Sequence, residues 1–87
     1  SLDDTAAEAG TDPYIGEVML MGSSYCPHGW VEPKGQLLPI TEHQALFSLL
    51  RNSFGGDQVT TFGLPDLRDK FPPLRYCIAL LGNYPSR

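Results

Sequence analysis

Residues 35–68 read GQLLPITEHQALFSLLRNSFGGDQVTTFGLPDLR, and this stretch decides the fold. Its centre predicts a helix, because apolar side chains recur along one face at Leu46, Phe47, Leu49 and Leu50. Thr41 and Gln44 have the spacing of a capping box at the start of that helix. Asn52 and the Gly55-Gly56 pair tolerate the left-handed conformation that ends a helix. We therefore expect one central helix between turn-rich segments that carry apolar anchors.

Length and charge narrow the classes of protein. The chain has 87 residues, enough for one small domain, and a formal net charge of −4. Its six Lys and Arg residues are scattered, whereas nucleic-acid binding needs a clustered basic surface. The longest apolar run, residues 77–81, is far shorter than the about 20 residues that cross a bilayer. The sequence therefore predicts neither a nucleic-acid partner nor a membrane span.

The chain divides into two regions of different composition. Residues 1–12 are acidic and small, so they lack the apolar side chains that offset the entropy of ordering. We interpret them as a flexible N-terminal leader, or alternatively as an arm that orders against a neighbouring subunit. The serine at position 1 favours a processed N-terminus, such as one left by removal of a secretory peptide. Residues 13–87 are expected to form the domain.

Two apolar segments predict a first strand from Ile15 and a last strand at residues 76–82. Antiparallel pairing of these strands would bring Cys77 beside Cys26, which predicts a disulfide. Closing so long a loop would stabilise a small domain by roughly 4 kcal/mol in the chain-entropy model. The alternative is a pair of reduced core cysteines in a cytosolic protein. With the disulfide, the expected location is secreted, periplasmic or on a cell or virion surface.

Together these elements predict a small α+β domain, with one central helix packed on a short antiparallel sheet, rich in loops and stapled by a disulfide. The Pro33-Lys34-Gly35 turn predicts a small hairpin within residues 31–40. The expected core consists of Trp30, Leu46, Phe47, Leu50, Phe62, Leu64 and Leu67. Trp30, the only tryptophan, is expected beneath the helix, with a sugar-stacking platform as the alternative.

The first strand offers a candidate interface. Met19 and Met21 alternate with Val18 and Leu20, so the methionines share one face. One short helix cannot cover both faces of a sheet, and an open face bearing methionine is a plausible docking surface because methionine adapts to irregular partners. The alternative is that the two methionines pack beneath residues 55–75 and close the core within one chain.

Few side chains are arranged for chemistry. The histidines and cysteines do not have zinc-site spacing, and the Gly55-Gly56-Asp57 segment lacks the residues that complete a phosphate or calcium site. Asp66 has no second acid, histidine or nucleophile beside it in the sequence. We interpret Asp66 with Arg68 as a structural clamp. No catalytic residue, metal or cofactor is expected.

Short motifs run in order through residues 13–87: 13–17 (PYIGE), 26–30 (CPHGW), 35–40 (GQLLPI), 45–50 (ALFSLL), 54–57 (FGGD), 61–68 (TFGLPDLR) and 76–79 (YCIA). On these motifs the chain resembles the phage tail-collar domain family, including the short secreted bacterial members known as tail or microcystin-dependent proteins. The resemblance implies a non-enzymatic structural module, of the kind that sits in trimeric phage tail fibres.

Three positions depart from the family pattern. The family usually has glycine after the double leucine, where this chain has Arg51. It commonly has glycine after Gly-Gly-Asp, where Gln58 stands, and Asp-Leu-Arg-Gly-Arg where Asp69-Lys70 follows the arginine. These changes leave the expected fold intact and alter the loop surface.

Two classes of function follow. The first is an assembly module, a subunit of an oligomer, fibre or filament, whose partners are copies of itself or other components of a tail or surface assembly. The second is a recognition module that binds a glycan or receptor through Tyr25, Trp30, Tyr84 and the polar loops. An enzyme is the least favoured, because the catalytic groups are missing.

Overall fold

The computed structural model describes residues 12–68 and 73–86, so the predicted leader lies outside the described residues except for Asp12. The strands are β1 (Val18–Met21), β2 (Trp30–Val31), β3 (Leu37–Pro39), β4 (Thr61–Gly63) and β5 (Arg75–Ala79). A 3-10 turn at Ile40–Glu42 and helix α1 (Gln44–Leu50) lie between β3 and β4. The α+β class fits only loosely, because the helix is short and strands and loops dominate.

The strands form two small antiparallel sheets, where one was expected. β5 lies at the centre of a three-stranded sheet in the order β1-β5-β2, and β3 pairs with β4 in a second sheet. The expected antiparallel pairing of the first and last strands is present, with Met19 opposite Cys77. β5 thus has a partner on each side, and β1 and β2 are the edge strands of that sheet.

The hairpin predicted within residues 31–40 is wrong, since β2 pairs with β5 and β3 pairs with β4. The turn segment bonds instead to the chain after β4. Gly35 donates its N–H to the Pro65 carbonyl (3.2 Å), and Leu67 donates to the Pro33 carbonyl (3.0 Å). These backbone groups find their partners 30 and 34 residues away along the chain, which turn chemistry alone does not reveal.

Helix α1 is shorter than the apolar pattern suggests, and the predicted capping box is wrong. The residue that precedes the helix is His43, and no side chain caps its N-terminus. Thr41 lies within the 3-10 turn, because the chain tightens there before the helix begins. The helix ends at Leu50 and is followed by Arg51, whose N–H donates to the Phe47 carbonyl (2.7 Å) and whose φ is 52°.

The core is small and lies where α1, β4 and β5 meet. Its buried members are Leu46, Phe62, Leu64 and Ile78. Phe47 packs against it from the helix, with 5.4 Å between its ring centroid and that of Phe62. The other partly buried residues around the core are Ile15, Val31, Leu38, Ile40, Leu50 and Leu80. Leu67 is partly buried but lies outside this cluster.

Trp30 does not lie in this core cluster, contrary to the expectation. Val31 is opposite Ile78, and residues opposite each other in a sheet share a face, so Val31 is directed toward the core. Neighbouring residues of a strand point to opposite faces, which directs Trp30 away from the core. Trp30 is opposite Ala79 and is only partly buried.

The Cys26–Cys77 disulfide is present, with 5.8 Å between the two Cα atoms. Cys26 belongs to residues 22–29, which connect β1 to β2 and therefore pass from one side of β5 to the other. Cys77 is fully buried on the face of the sheet that does not carry Ile78, so the disulfide holds this connection against the face away from the core. Arg75 adds a second attachment, since its Nε donates to the Ser23 carbonyl (2.9 Å).

The two faces of β1 are not exposed as the sequence led us to expect. Met19 and Met21 are partly buried, and Met19 shares its face with the disulfide residue Cys77. Val18 and Leu20 are 42% and 46% exposed. They share the face of Ile78, but β1 is an edge strand and the small core does not reach across it. The more open apolar face is therefore the one without the methionines.

Phe62→Ala should lower the free energy of unfolding by about 3–5 kcal/mol, because Phe62 is fully buried and its ring contacts Phe47. Phe54→Ala is the matched control, since Phe54 is 45% exposed and should change stability by less than about 1 kcal/mol. Urea denaturation measures both values. Equal losses in the two variants would show that the core is not centred on Phe62.

Candidate functional site

The Gly-Gly-Asp loop (residues 55–58) is held by one carboxylate. Asp57 Oδ1 accepts the backbone N–H groups of Val59 (2.9 Å), Thr60 (2.7 Å) and Thr61 (2.9 Å), and Oδ2 accepts the Thr60 hydroxyl (2.7 Å). These bonds hold the pKa of Asp57 far below its ordinary value, and the bond from the Thr61 N–H lowers it most. The carboxylate therefore organises its own turn, and both of its oxygens are engaged there.

The two glycines of this loop have the conformation expected for a tight reversal. Gly55 and Gly56 have φ values of 108° and 92°, which residues with a side chain rarely adopt. A Cβ on Gly56 would also lie only 2.5 Å from the Phe62 Cα atom. The loop thus lies directly on β4. In a phosphate-binding loop, glycines let the backbone approach the ligand closely, whereas here they let the loop backbone approach β4.

Asp66 and Arg68 form the pair that was interpreted as a clamp. The guanidinium donates to both carboxylate oxygens, from Nε to Oδ1 (3.0 Å) and from Nη2 to Oδ2 (2.7 Å), and the Arg68 N–H donates to Oδ1 (3.1 Å). Both side chains are about half exposed, at 51% and 47%, so water screens this ion pair. The geometry is that of a local turn support.

Two surface clefts bring further polar and aromatic side chains together. The first, which we call the tryptophan cleft, has a volume of about 360 Å³ and is lined by Tyr25, Trp30, Glu32, Lys34, Gln36 and Arg75, among others. The second, the helix-end cleft, has a volume of about 420 Å³ and is lined by Ser48, Leu49, Arg51, Tyr84, Pro85 and Ser86. The aromatic residues expected to act together in recognition are thus divided, because Tyr84 lies in a different cleft from Tyr25 and Trp30.

The helix-end cleft contains two hydroxyl groups in contact. Ser48 Oγ lies 2.6 Å from Tyr84 Oη and donates to the Ala45 carbonyl (2.6 Å). Activation of a serine nucleophile needs an adjacent base such as histidine or a carboxylate. Within residues 12–68 and 73–86, neither hydroxyl has such a hydrogen-bond partner. This arrangement joins the helix to the C-terminal segment.

The tryptophan cleft was not predicted from the sequence. Its walls come from four separate parts of the chain, and its central ion pair joins Glu32 to Arg75, 43 residues apart (Nη1 to Oε1, 3.2 Å). Sequence reasoning named Tyr25 and Trp30 only for the alternative of a recognition module, with Trp30 otherwise expected in the core. It had no means of finding Lys34, Gln36 or Arg75. In the described part of the chain, no group of three or more side chains could hold a metal ion. No helix among those residues is long and apolar enough to cross a bilayer.

Comparison with known proteins gives one match. The profile of the Phage Tail Collar Domain family matches residues 16–72, which is more than half of the chain. The chain belongs to the phage tail collar domain family. This is a structural family. No match is found among curated proteins or among solved structures.

Two departures of this collar domain from the expected glycine pattern coincide with unusual backbone geometry. Arg51 has φ 52° and ψ −127°, and Gln58 has φ 66°. They are the two residues other than glycine with positive φ in residues 12–68 and 73–86. A glycine adopts such conformations without steric cost, which explains why these positions suit glycine. The third departure, Asp69-Lys70, lies outside the described residues.

Gln58 has a compensation that Arg51 lacks in the described structure. The Gln58 side-chain Nε2 donates to the carbonyl groups of Gly55 (2.7 Å) and Gly56 (3.1 Å). These bonds offset part of the backbone strain, because they tie the side chain to the loop that produces it. No comparable side-chain bond is found for Arg51 among the described residues. Of the two positions, Arg51 therefore carries the larger uncompensated cost.

Arg51→Gly should raise the free energy of unfolding by about 1 kcal/mol, since relief of the strained conformation exceeds the added entropy of the unfolded chain. The melting temperature should rise by about 4–8 °C for a domain of this size. Arg51→Ala is the control, because it removes the charge but keeps the Cβ atom, and it should give no such gain. Stabilisation by alanine equal to that by glycine would assign the effect to the side chain and not to the backbone.

Acid should destabilise the Gly-Gly-Asp loop. The pKa of Asp57 is lowered in the folded protein, so its contribution to stability is fully present above about pH 4, the ordinary range of an aspartate, and is lost as the pH falls below it. Asp57→Asn should therefore be less stable than wild type at neutral pH and should lose less stability between about pH 4 and pH 2. Urea titrations across that range measure the difference. Asp12→Asn, at an exposed residue outside the loop, should keep the wild-type profile.

Proposed function

We propose that this collar domain is a non-enzymatic assembly module, a subunit of an oligomer or fibre in a phage-tail-type or secreted bacterial surface assembly. Membership of a structural family supports this function. So does the disulfide, because such bonds persist in oxidising environments: outside the cell, in the periplasm or on a virion surface. The proposed partners are copies of the same chain or other subunits of the assembly.

The observation that carries the proposal is the apolar patch beside the open edge of β1. We call it the β1 edge patch and define it as Val18, Leu20 and Leu74. Leu74 is 41% exposed, and its Cδ2 atom lies 3.9 Å from the position of a Cβ built on Gly22, directly after β1. Within residues 12–68 and 73–86, β1 pairs with a strand only on its β5 side. Three exposed aliphatic side chains next to such an edge are a template for pairing with another chain.

A second copy of this chain fits that edge. β1 is bonded on its β5 side, and the edge has the same sequence, Val18–Met21, in every copy. Antiparallel pairing of β1 with β1 would be isologous, with the same patch on both partners. Leu20 of one copy would then lie near the β1 edge patch of the other copy, and the contact would bury apolar surface of both copies. The partly buried Met19 and Met21 remain a predicted interface, on the opposite face of the same strand.

Recognition of a glycan is a second candidate function, and the tryptophan cleft favours it. Tyr25 and Trp30 line this cleft together with charged and amide side chains, a combination suited to sugars. Tyr84 contributes to the other cleft, so recognition would depend on two of the three aromatic residues. The two candidate functions use different surfaces and are compatible in one protein.

The Val18→Lys/Leu20→Lys double variant should abolish self-association, because two charges on an edge strand oppose pairing with a second copy. Light scattering or native mass spectrometry at about 100 μM, a concentration that populates weak complexes, should show an oligomer for wild type and a monomer for the variant. Val59→Lys, at an 80% exposed residue of the loop before β4, is the matched control and should remain oligomeric. A monomeric wild-type protein would contradict assembly of this chain with itself.

The Met19→Asp/Met21→Asp variant separates the two faces of β1. Because both methionines are partly buried, the proposal expects this variant to melt at a lower temperature than the lysine double variant. If the aspartate variant keeps the wild-type melting temperature but becomes monomeric, the interface lies on the methionine face and not at the β1 edge patch.

A further inference from the structure

The tryptophan cleft has aromatic walls on an otherwise polar site. Tyr25 is 71% exposed, and Trp30 is partly buried beside it. Exposed rings of this size offer a flat apolar face to a ligand. Tyr25 directly precedes Cys26, so the disulfide to β5 restrains the segment that carries this ring. None of the residues that line the cleft belongs to β1, so the cleft and the β1 edge patch are separate surfaces.

The polar groups of the cleft are already fixed in position. Glu32 and Arg75 form an ion pair in which each side chain is 26% exposed. Arg75 is also bonded to the Ser23 carbonyl. Gln36 donates to the Glu32 carbonyl (2.9 Å), and its Oε1 accepts the Lys34 backbone N–H (2.7 Å). A site with such prior order loses little conformational entropy when a ligand binds.

The charge of the cleft differs in sign from that of the chain. Among the residues that line the cleft, Lys34 and Arg75 are basic and Glu32 is acidic, so the lining has one excess positive charge, whereas the whole chain has a net charge of −4. Asp66 lies opposite Lys34 in a β-bridge outside this lining, and its carboxylate pairs with Arg68. Arg75 is neutralised by Glu32. The Lys34 ammonium group forms no ion pair within residues 12–68 and 73–86, so it is the group that can receive an anion. The cleft therefore combines an aromatic face, hydrogen-bonding groups and one cationic site.

We propose that the tryptophan cleft binds a sugar that bears a carboxylate. The C–H face of a pyranose ring stacks on Tyr25 and Trp30, and its hydroxyl groups bond to Glu32 Oε2 and the Gln36 amide. The sugar carboxylate pairs with Lys34. An inorganic anion would leave the aromatic walls unused, and a wholly apolar ligand would cover the Glu32–Arg75 pair without bonding to it. An acidic sugar satisfies all three features at once.

The single tryptophan of the chain provides the measurement, since Trp30 lines the cleft. The probe is trigalacturonic acid, and its methyl ester is the neutral match with the same ring. Titration of wild type should give a saturable change in tryptophan fluorescence, with a dissociation constant on the order of 1 mM for the acid. The ester should bind about threefold to fivefold more weakly, as expected for loss of one exposed ion pair.

Variants assign the contacts. Tyr25→Ala should weaken binding of the acid about tenfold through loss of stacking. Lys34→Gln should bind the acid and the ester equally. Tyr84→Ala is the control, because Tyr84 is an exposed aromatic of the helix-end cleft, and it should bind as wild type does. Tyr25 and Lys34 are exposed, so the melting temperatures of their variants should stay unchanged and their binding can be compared directly. Tyr84→Ala also removes the contact with the Ser48 hydroxyl, so its binding is measured well below its own melting temperature.

Three results would overturn the proposal. The first is the absence of a saturable change with trigalacturonic acid up to about 10 mM, well above the expected constant. The second is equal weakening by Tyr84→Ala and Tyr25→Ala, which would place the sugar elsewhere. The third is equally tight binding of triglutamate, which would assign the cleft to acidic peptides. Oligomeric state is measured separately, so failure of sugar binding leaves the assembly proposal standing, and the converse also holds.

Discussion

Strand β5 holds this domain together through side chains on both of its faces. Ile78 enters the core with Leu46 and Phe62, while Cys77 on the opposite face bonds to Cys26. β5 also pairs with one strand on each side, so its backbone groups are bonded in both directions. Because strand residues alternate between faces, a shift of β5 by one residue would turn Ile78 away from the core and Cys77 away from Cys26. Core packing, disulfide and strand register therefore specify one another.

The small size of the core explains why so much apolar surface stays open. A chain of 87 residues buries a smaller share of its surface than a larger domain does, and the core reaches only the β5 side of β1. The disulfide compensates by restricting the unfolded chain, an effect of roughly 4 kcal/mol in the entropic model. Among the apolar side chains that remain exposed, Val18 and Leu20 lie at the β1 edge, where the proposed assembly would remove apolar area from water.

Backbone conformation gives physical meaning to the family pattern. The positions where glycine is usual but this chain has Arg51 and Gln58 have positive φ, so the pattern reflects steric allowance. Asp57 has the complementary role, because its carboxylate binds three successive backbone N–H groups after the reversal. Glycine permits the turn and aspartate stabilises it. The loop is therefore a structural device at the edge of the core, and the candidate ligand site lies elsewhere, at Trp30 and Lys34.

Local patterns in the sequence determined the apolar face of the helix and the Gly-Gly-Asp turn, because these depend on residue spacing and on backbone freedom, which a sequence displays directly. The antiparallel pairing of the first and last strands and the Cys26–Cys77 disulfide were predicted from two apolar segments and two cysteines, but they join distant parts of the chain, and the tertiary structure decided between the disulfide and reduced cysteines. Only the tertiary structure decided that there are two sheets, that Trp30 points away from the core, and that Glu32 meets Arg75. Those outcomes depend on which distant segment forms backbone hydrogen bonds with each strand. The register of that pairing then determines the face of the sheet on which each side chain lies.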